Sequence, residues 1–470
     1  MPTRDSGSFR DPSGHVFEDN GRVYRVVLPP AAEDFSFVES SGLIERLVGQ
    51  HLLVEQHFVD PSELGPLAEG ATHVLEHPKL PFISYPYEWS FTALKAAALL
   101  HIRIHLEALQ AGCNLSDASA YNVQFQGTRP VFIDRLSFRR YREGEFWIGH
   151  RQFCEQFLNP LLLRALLGVP HNAWYRGRQE GIPAAELATM LCWRHKLSLR
   201  ILLHVLSQQR LQRKGAHRRA KRVLKRQLPK EAFISMLRGM AKWIEGLNPI
   251  LAGEAVWDNY SQQNSYSTGE REAKHRFITQ FTVEVRPRIL WDMGCNDGEF
   301  SRVALRAGAG TVVGFEADDR VLEQAFVRAD KDKLEFLPLC MDLANPSPSQ
   351  GWAERERGGL HARGPADGML ALALIHHLAI GRNVPLGQVV EWLVSLAPSG
   401  VIEWVPKSDP MVKELLSLRE DIFGDYTEEQ FFANLERHAG VVKTLSLAKD
   451  GRLLVWYQRE ETTTLENRLP

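Results

Sequence analysis

The chain has 470 residues, too many for one ordinary hydrophobic core, so two domains are expected. Its 44% hydrophobic and 24% charged residues exclude a disordered chain, and a net charge of −1 excludes a global field drawing the whole molecule to nucleic acid or a membrane surface. Cys113, Cys154, Cys192, Cys295 and Cys340 are scattered with no Cys-x-x-Cys pair, which argues against a disulfide framework and for a reducing compartment. There is no apolar run of membrane-spanning length and no signal-peptide pattern, so no membrane partner and a cytoplasmic location are expected.

Residues 1–20 read as a loose polar N-terminus, and 21–246 as a first domain. Short apolar runs alternate with turns from Arg22 to about Tyr87. A helical stretch follows over Ser90 to Ala111, with apolar residues at helical spacing. Two short strands, VQF at 123–125 and VFID at 131–134, flank the turn QGTRP, and Glu145 to about Trp243 reads as mostly helical. Within that span, residues 210–230 contain no acidic residue. They offer a polyanion such as RNA phosphate contacts but no interleaved aromatics for stacking, and they equally fit a solvated helix face. Residues 247–280 read as a linker or lid carrying Trp257, Tyr260 and Tyr266, 281–460 as a second domain and 461–470 as a tail.

The one chemically suggestive stretch of the first domain is LSDASAYNVQFQGTRPVFIDRLSF. Asp117 and Asn122 are five apart, and Asp134 ends the second strand twelve residues later. A hairpin returns its ends to nearly one place, so the three side chains are expected to meet in one small cleft. Two carboxylates packed there need a cation or water between them. This spacing resembles the catalytic segment of kinase-like and aminoglycoside-phosphotransferase-like proteins, which implies an α+β domain with a helical lobe. The resemblance assigns Asp117 to orienting the nucleophile, Asn122 and Asp134 to magnesium, ISYPYEWS at 83–90 to the hinge, and ATP to the cleft. The pattern is degenerate. Leu115 stands where the family has His, no Lys precedes Lys79, no glycine-rich loop precedes Val54, and Arg-Leu follows Asp134. Arg25 is the candidate stand-in for the missing lysine.

In the second domain, RILWDMGCNDGEFSRVALRAGAG reads as a buried strand, a tight turn bracketed by Gly294 and Gly298, and a helix stopped by Gly308. A second strand, Thr311 to Phe315, ends in Glu316, where a carboxylate can accept from ribose hydroxyls. A helix (Arg320 to Ala329) and a third strand ending in Asp342 follow. ADGMLALALIHHL and SGVIEWVP supply a fourth and a fifth strand, Thr427 caps a helix, and VVKTLSLA and RLLVWYQ form a terminal hairpin around Lys449-Asp450-Gly451. This α/β pattern, a doubly wound Rossmann-like sheet with an antiparallel terminal hairpin, resembles class I S-adenosylmethionine (SAM)-dependent methyltransferases over roughly Pro287 to Gln458. The family's D-x-G-C-x-x-G turn stands here as Asp292-Met293-Gly294-Cys295-Asn296-Asp297-Gly298. The resemblance implies that Asp292 and the turn hold the methionine end, Glu316 the ribose and Asp342 the adenine amino group. A nicotinamide dinucleotide would need glycines at 296 and 299. The chain has Asn296 and Glu299, and a negative Glu299 would repel pyrophosphate.

The resulting expectation is a SAM-dependent methyltransferase acting on a small-molecule acceptor, with a kinase-like N-terminal module. Two alternatives stay open: an RNA methyltransferase tethered by the basic stretch, and a non-catalytic ligand-binding or regulatory protein. His376 and His377, after the fourth strand, are candidate bases, unless one of them only packs; Glu403 is a further catalytic candidate and, with Lys407 and Asp409, lies on the same carboxyl edge, where acceptors bind. The acceptor itself is not written in the sequence.

Overall fold

The computed structural model describes residues 3–212, 227–251, 268–417, 419–447 and 451–460. The chain forms two compact units, Met1–Ala252 with Gln350–Arg357, and Gly253–Ser349 with Gly358–Pro470. No helix among the described residues is long and apolar enough to cross a membrane. The cysteines are all free.

The first unit opens with a five-stranded antiparallel sheet of β1 (Thr3–Arg4), β2 (Gly14–Asp19), β3 (Arg22–Val27), β4 (His57–Val59) and β5 (His73–His77), ordered β1-β2-β3-β5-β4. Side chains alternate faces along a strand, so neighbours fall into different cores. Val26 and Val74 pack with Phe17 and Tyr24, whereas Val27 and Leu75 pack with Phe35. The supposedly loose N-terminus is therefore structured in part: β1 and β2 lie within it, and Phe17 is 1% exposed. Leading out of the sheet, the helix Phe91–Gln110 begins where Ser90 accepts a capping hydrogen bond from the Ala93 N–H. It buries one long stripe including Leu94, Ala97, His101, Ile104 and His105. Then come β6 (Cys113–Leu115), β7 (Val123–Gln126), β8 (Arg129–Phe132) and β9 (Phe138–Arg140), paired as β6–β9 and β7–β8. The described residues from His150 to Glu245 are mainly helical, as expected.

The second unit is built on a seven-stranded sheet. Its strands are β10 (Ile289–Met293), β11 (Thr311–Glu316), β12 (Phe336–Cys340), β13 (Gly368–Ala371), β14 (Ser399–Trp404), β15 (Gly440–Leu447) and β16 (Arg452–Gln458), in the order β12-β11-β10-β13-β14-β16-β15. The first five run parallel, and β16 is antiparallel between β14 and β15. The chain winds outward from β10 to β12 and then returns to β13 on the other side of β10. That reversal opens a crevice at the carboxyl ends of the strands, where doubly wound sheets bind ligands.

Two boundaries differ from expectation. The helix Thr268–Val285 begins inside the expected linker 247–280 and runs on into the second domain, and its Phe277, Ile278 and Phe281 are buried in the core beside Leu290 and Val312. Its mixed surface and Gly- and Ser-rich approach concealed the apolar stripe. Residues Gln350–Arg357 group with the first unit although they lie within the sequence of the second. The lid aromatics Trp257, Tyr260 and Tyr266, most of the basic stretch (213–226) and the tail 461–470 lie outside the described residues.

Candidate functional site

A cavity of about 440 Å³ lies at the switch point of the second unit. Of the residues expected to hold a cofactor, Asp292, Gly294, Cys295, Asn296, Glu316 and Asp342 all line it. Gly298 shapes it from behind. Its φ is +77°, and a Cβ there would stand 2.4 Å from Phe336 Cε1, so only glycine closes this turn onto the helix Glu299–Arg306. Asn296 takes the left-handed conformation at φ +49°, which asparagine tolerates better than most residues. This is how the turn forms with asparagine at its middle position.

Asp292 and Glu316 are held by neutral donors. Asp292 is 2% exposed and accepts the Ser301 hydroxyl at 2.6 Å; burial pushes its carboxyl up to about 7. Glu316 accepts from the backbone N–H groups of Asn296 (3.0 Å), Ala317 (2.8 Å) and Asp318 (2.9 Å), which ties the glycine turn to the end of β11. Burial still raises its pKa, against those hydrogen bonds. Asp342 accepts from the Ala344 N–H at 3.0 Å and from Arg382 at 3.2 Å. Glu299 departs from the expectation. Arg271 (2.5 Å) and His275 (2.6 Å) both donate to it and, although burial opposes them, hold its pKa below the ordinary value, so its charge is matched and it is no bare repulsive group. Sequence reasoning missed Arg271 and Lys274, which line the cavity, because their helix read as linker.

The candidate bases separate. His377 lines the cavity, whereas His376 is fully buried behind it, its ring 4.1 Å from that of His377. Burial lowers the pKa of both, His377 to about 4, so both rings are neutral near pH 7. Glu403 does not suit the catalytic role expected of it on that edge. It is 0% exposed and sits between Lys274 Nζ (2.7 Å) and Arg452 (3.3 Å), with Arg452 also bound to Asp409 at 2.6 Å. A carboxylate locked between two cations is a poor proton acceptor. Lys407 instead pairs at the surface with Asp421.

In the first unit Asp117, Asn122 and Asp134 do converge. The Asn122 amide nitrogen lies 2.9 Å from Asp117 Oδ2 and 3.4 Å from Asp134 Oδ2. Burial, and then the charge of Asp134, raises the pKa of Asp117. The chain itself brings a cation to one of the two acids: Arg25 on β3 reaches Asp134 at 3.1 Å, and also Asp11 at 2.7 Å. Asp134 also accepts from the Leu136 N–H (3.2 Å) and the Ser137 hydroxyl (2.5 Å). With its oxygens so engaged, the cluster does not fit magnesium. Nor does the expected hinge fit a nucleobase. Gln124 on β7 accepts from the Ser84 N–H (2.8 Å) and donates to the Ser84 carbonyl (3.0 Å), closing the backbone edge that a base would read.

No family model matches the chain. Among solved structures, the N-methyltransferase NodS from Bradyrhizobium japonicum WM9 aligns with 42% of this chain and 99% of its own at 11% identity and a TM-score of 0.31. Magnesium protoporphyrin IX methyltransferase (ChlM) from Synechocystis PCC 6803 with bound SAH aligns with 47% of this chain and 94% of its own at 17% identity and a TM-score of 0.31. The nodulation protein NoeA of Rhizobium meliloti (strain 1021) is 45% identical over 469 residues, spanning 98% of this chain and 97% of that protein. Identity at that level across nearly the whole of both chains means that the chain belongs to the NoeA family of nodulation proteins.

Proposed function

We propose that the second unit binds SAM and transfers its methyl group to a small-molecule acceptor. The observation that carries this reading is the convergence of Asp292, Asn296, Glu316 and Asp342 on one cavity at the carboxyl edge of the parallel strands. Its volume suits a ligand of cofactor size. The oxygens of Glu316 keep lone pairs beyond those taken by backbone N–H groups, so they can accept ribose hydroxyls. Asp342 can accept an amino group, and Asp292 suits the cationic methionine end. Asp292 and Glu316 disfavour a pyrophosphate in the same place. Asp292 and the turn hold one end and Asp342 the other, which leaves His377 at the wall where an acceptor would lie.

Bound SAM supplies a methyl group on a positively charged sulfur, so alignment of the acceptor's lone pair carries much of the rate. The ring of His377, neutral near pH 7 but weakened as a base by burial, can accept a hydrogen bond from the acceptor and so orient it. Kinship with NoeA supports a place in nodulation for this activity. Removing one charge-assisted contact costs roughly 1.5–3 kcal/mol. Calorimetry with S-adenosylhomocysteine on Glu316→Ala is therefore expected to give binding weakened roughly tenfold or more. Unchanged affinity in the folded variant would remove the ribose assignment, and NADH competing for the cavity would remove the cofactor.

For the first unit we infer a kinase-like fold in a non-catalytic, scaffolding role. Support comes from the antiparallel sheet, the segment 83–90 leading to a long helix, and the Asp117–Asn122–Asp134 cluster, together with the closure of that cluster by Arg25 and of the hinge edge by Gln124.

A further inference from the structure

Away from both clefts, the helical part of the first unit brings together three side chains of metal-ligating type. His150 and Cys154 are four apart where the helix His150–Phe153 runs on into the wider π turn Cys154–Leu158. His204 lies in a second π turn, Leu202–Leu206, and Gln208 follows it by four residues on the next helix, Ser207–Gln212. Residues four apart share a helix face, so two such faces can close on one point. π turns inside helices recur at functional sites.

We propose that His150, Cys154 and His204 form a binding site for a zinc-class divalent cation that braces the helical part of the first unit. The spacing of the donor atoms carries the proposal. A tetrahedral zinc with ordinary bond lengths sets its nitrogen ligands roughly 3.3 Å apart, and a nitrogen and a sulfur ligand roughly 3.6 Å apart. Here His150 Nε2 lies 3.0 Å from His204 Nδ1 and 3.6 Å from Cys154 Sγ, and the three donors are all within 4.8 Å of one another. A mixed set of imidazole and thiolate selects zinc and its neighbours over magnesium or calcium.

Gln208 is the second observation. It is 5% exposed, its Nε2 lies 3.2 Å from His150 Nδ1, and its Oε1 is buried with no hydrogen-bond partner. A histidine that ligates through Nε2 carries its proton on Nδ1 and needs an acceptor there. Turning the Gln208 amide over would supply that acceptor and satisfy the orphaned oxygen; which way an amide points is an assignment from its neighbours. Ligation needs the thiolate, so one proton leaves Cys154 for solvent as the cation binds. The fourth position is left to water. Trp147 and Trp243 flank the histidines, with ring centroids 5.5 Å from His150 and 5.9 Å from His204 respectively.

The test uses the full chain, purified without an affinity tag, stripped by a chelator and titrated with cobalt and then zinc. The expected result is a single equivalent of cobalt giving thiolate-to-metal charge-transfer absorption, bleached by zinc. Cys154→Ser should abolish that band and weaken zinc binding roughly tenfold or more. His204→Gln should weaken zinc binding comparably, with an unchanged circular dichroism spectrum. Cys192→Ser, at an exposed thiol elsewhere, should change neither. Wild-type chain that stays folded yet shows no band, or a band that survives Cys154→Ser, would overturn the site.

Discussion

Lys274→Met is the most informative perturbation of the second unit. The wild-type side chains of Lys274 and Glu403 are 1% and 0% exposed, at 2.7 Å from one another. Arg452 then links Glu403 to Asp409, so two cations face two anions in a buried cluster that balances to zero. Removing Lys274 leaves one negative charge in excess where water cannot reach it. Breaking such a buried pair costs about 3–5 kcal/mol. Arg452 remains 3.3 Å from Glu403, which places the loss near the lower end. In a unit of this size, ~3 kcal/mol lowers the melting temperature by roughly 6–12 °C. Adding Glu403→Gln restores neutrality at nearly constant shape, and the double variant is expected to recover most of the loss. Hydrogen exchange of the Ser399–Trp404 strand during thermal unfolding reports on this unit specifically. A single variant that melts within about 2 °C of wild type, or a double variant less stable than the single, would refute the charge-balance argument.

Three further outcomes are expected. Burial raises the Asp292 carboxyl from its ordinary 3.8 to about 7, so between those values the folded state holds a proton that the unfolded chain has released. The second unit should therefore lose stability as pH rises through that window, by about 1.4 kcal/mol per pH unit at most, and Asp292→Asn should flatten the slope in melts taken from pH 4 to 8. The first unit slopes the other way. His101, His105 and His171 are buried and lowered to about 3, 4 and 4, so protons taken up by the unfolded chain below 6.5 should pull this unit apart as pH falls, and His101→Phe should weaken the dependence in acid unfolding followed by hydrogen exchange of Phe91–Gln110. Arg25→Met should leave Asp11 and Asp134 without their guanidinium; millimolar magnesium should then raise the melting temperature of the variant but not of wild type, and an equal rise in both would show that Arg25 does not fill the cation's place.

Local signals were enough where backbone and neighbouring residues decide the outcome. The strand, glycine turn and helix around Asp292 to Arg306, the acids ending the next two strands, the terminal hairpin, and the cleft of Asp117, Asn122 and Asp134 follow from periodicity, turn chemistry and short spacings. Partners distant in sequence decided the rest. Glu403 looked like a free carboxylate on a functional edge until Lys274 and Arg452, 129 and 49 residues away, were found against it. Asp134 looked like a magnesium ligand until Arg25, 109 residues earlier, proved to occupy it. Most of the helix Thr268–Val285, up to residue 280, looked like linker because its core-facing residues are few and its polar ones many. A side chain's type and local spacing set what it can do, but its charge state and reach depend on burial and on the opposing charge. Only the folded chain brings those to it.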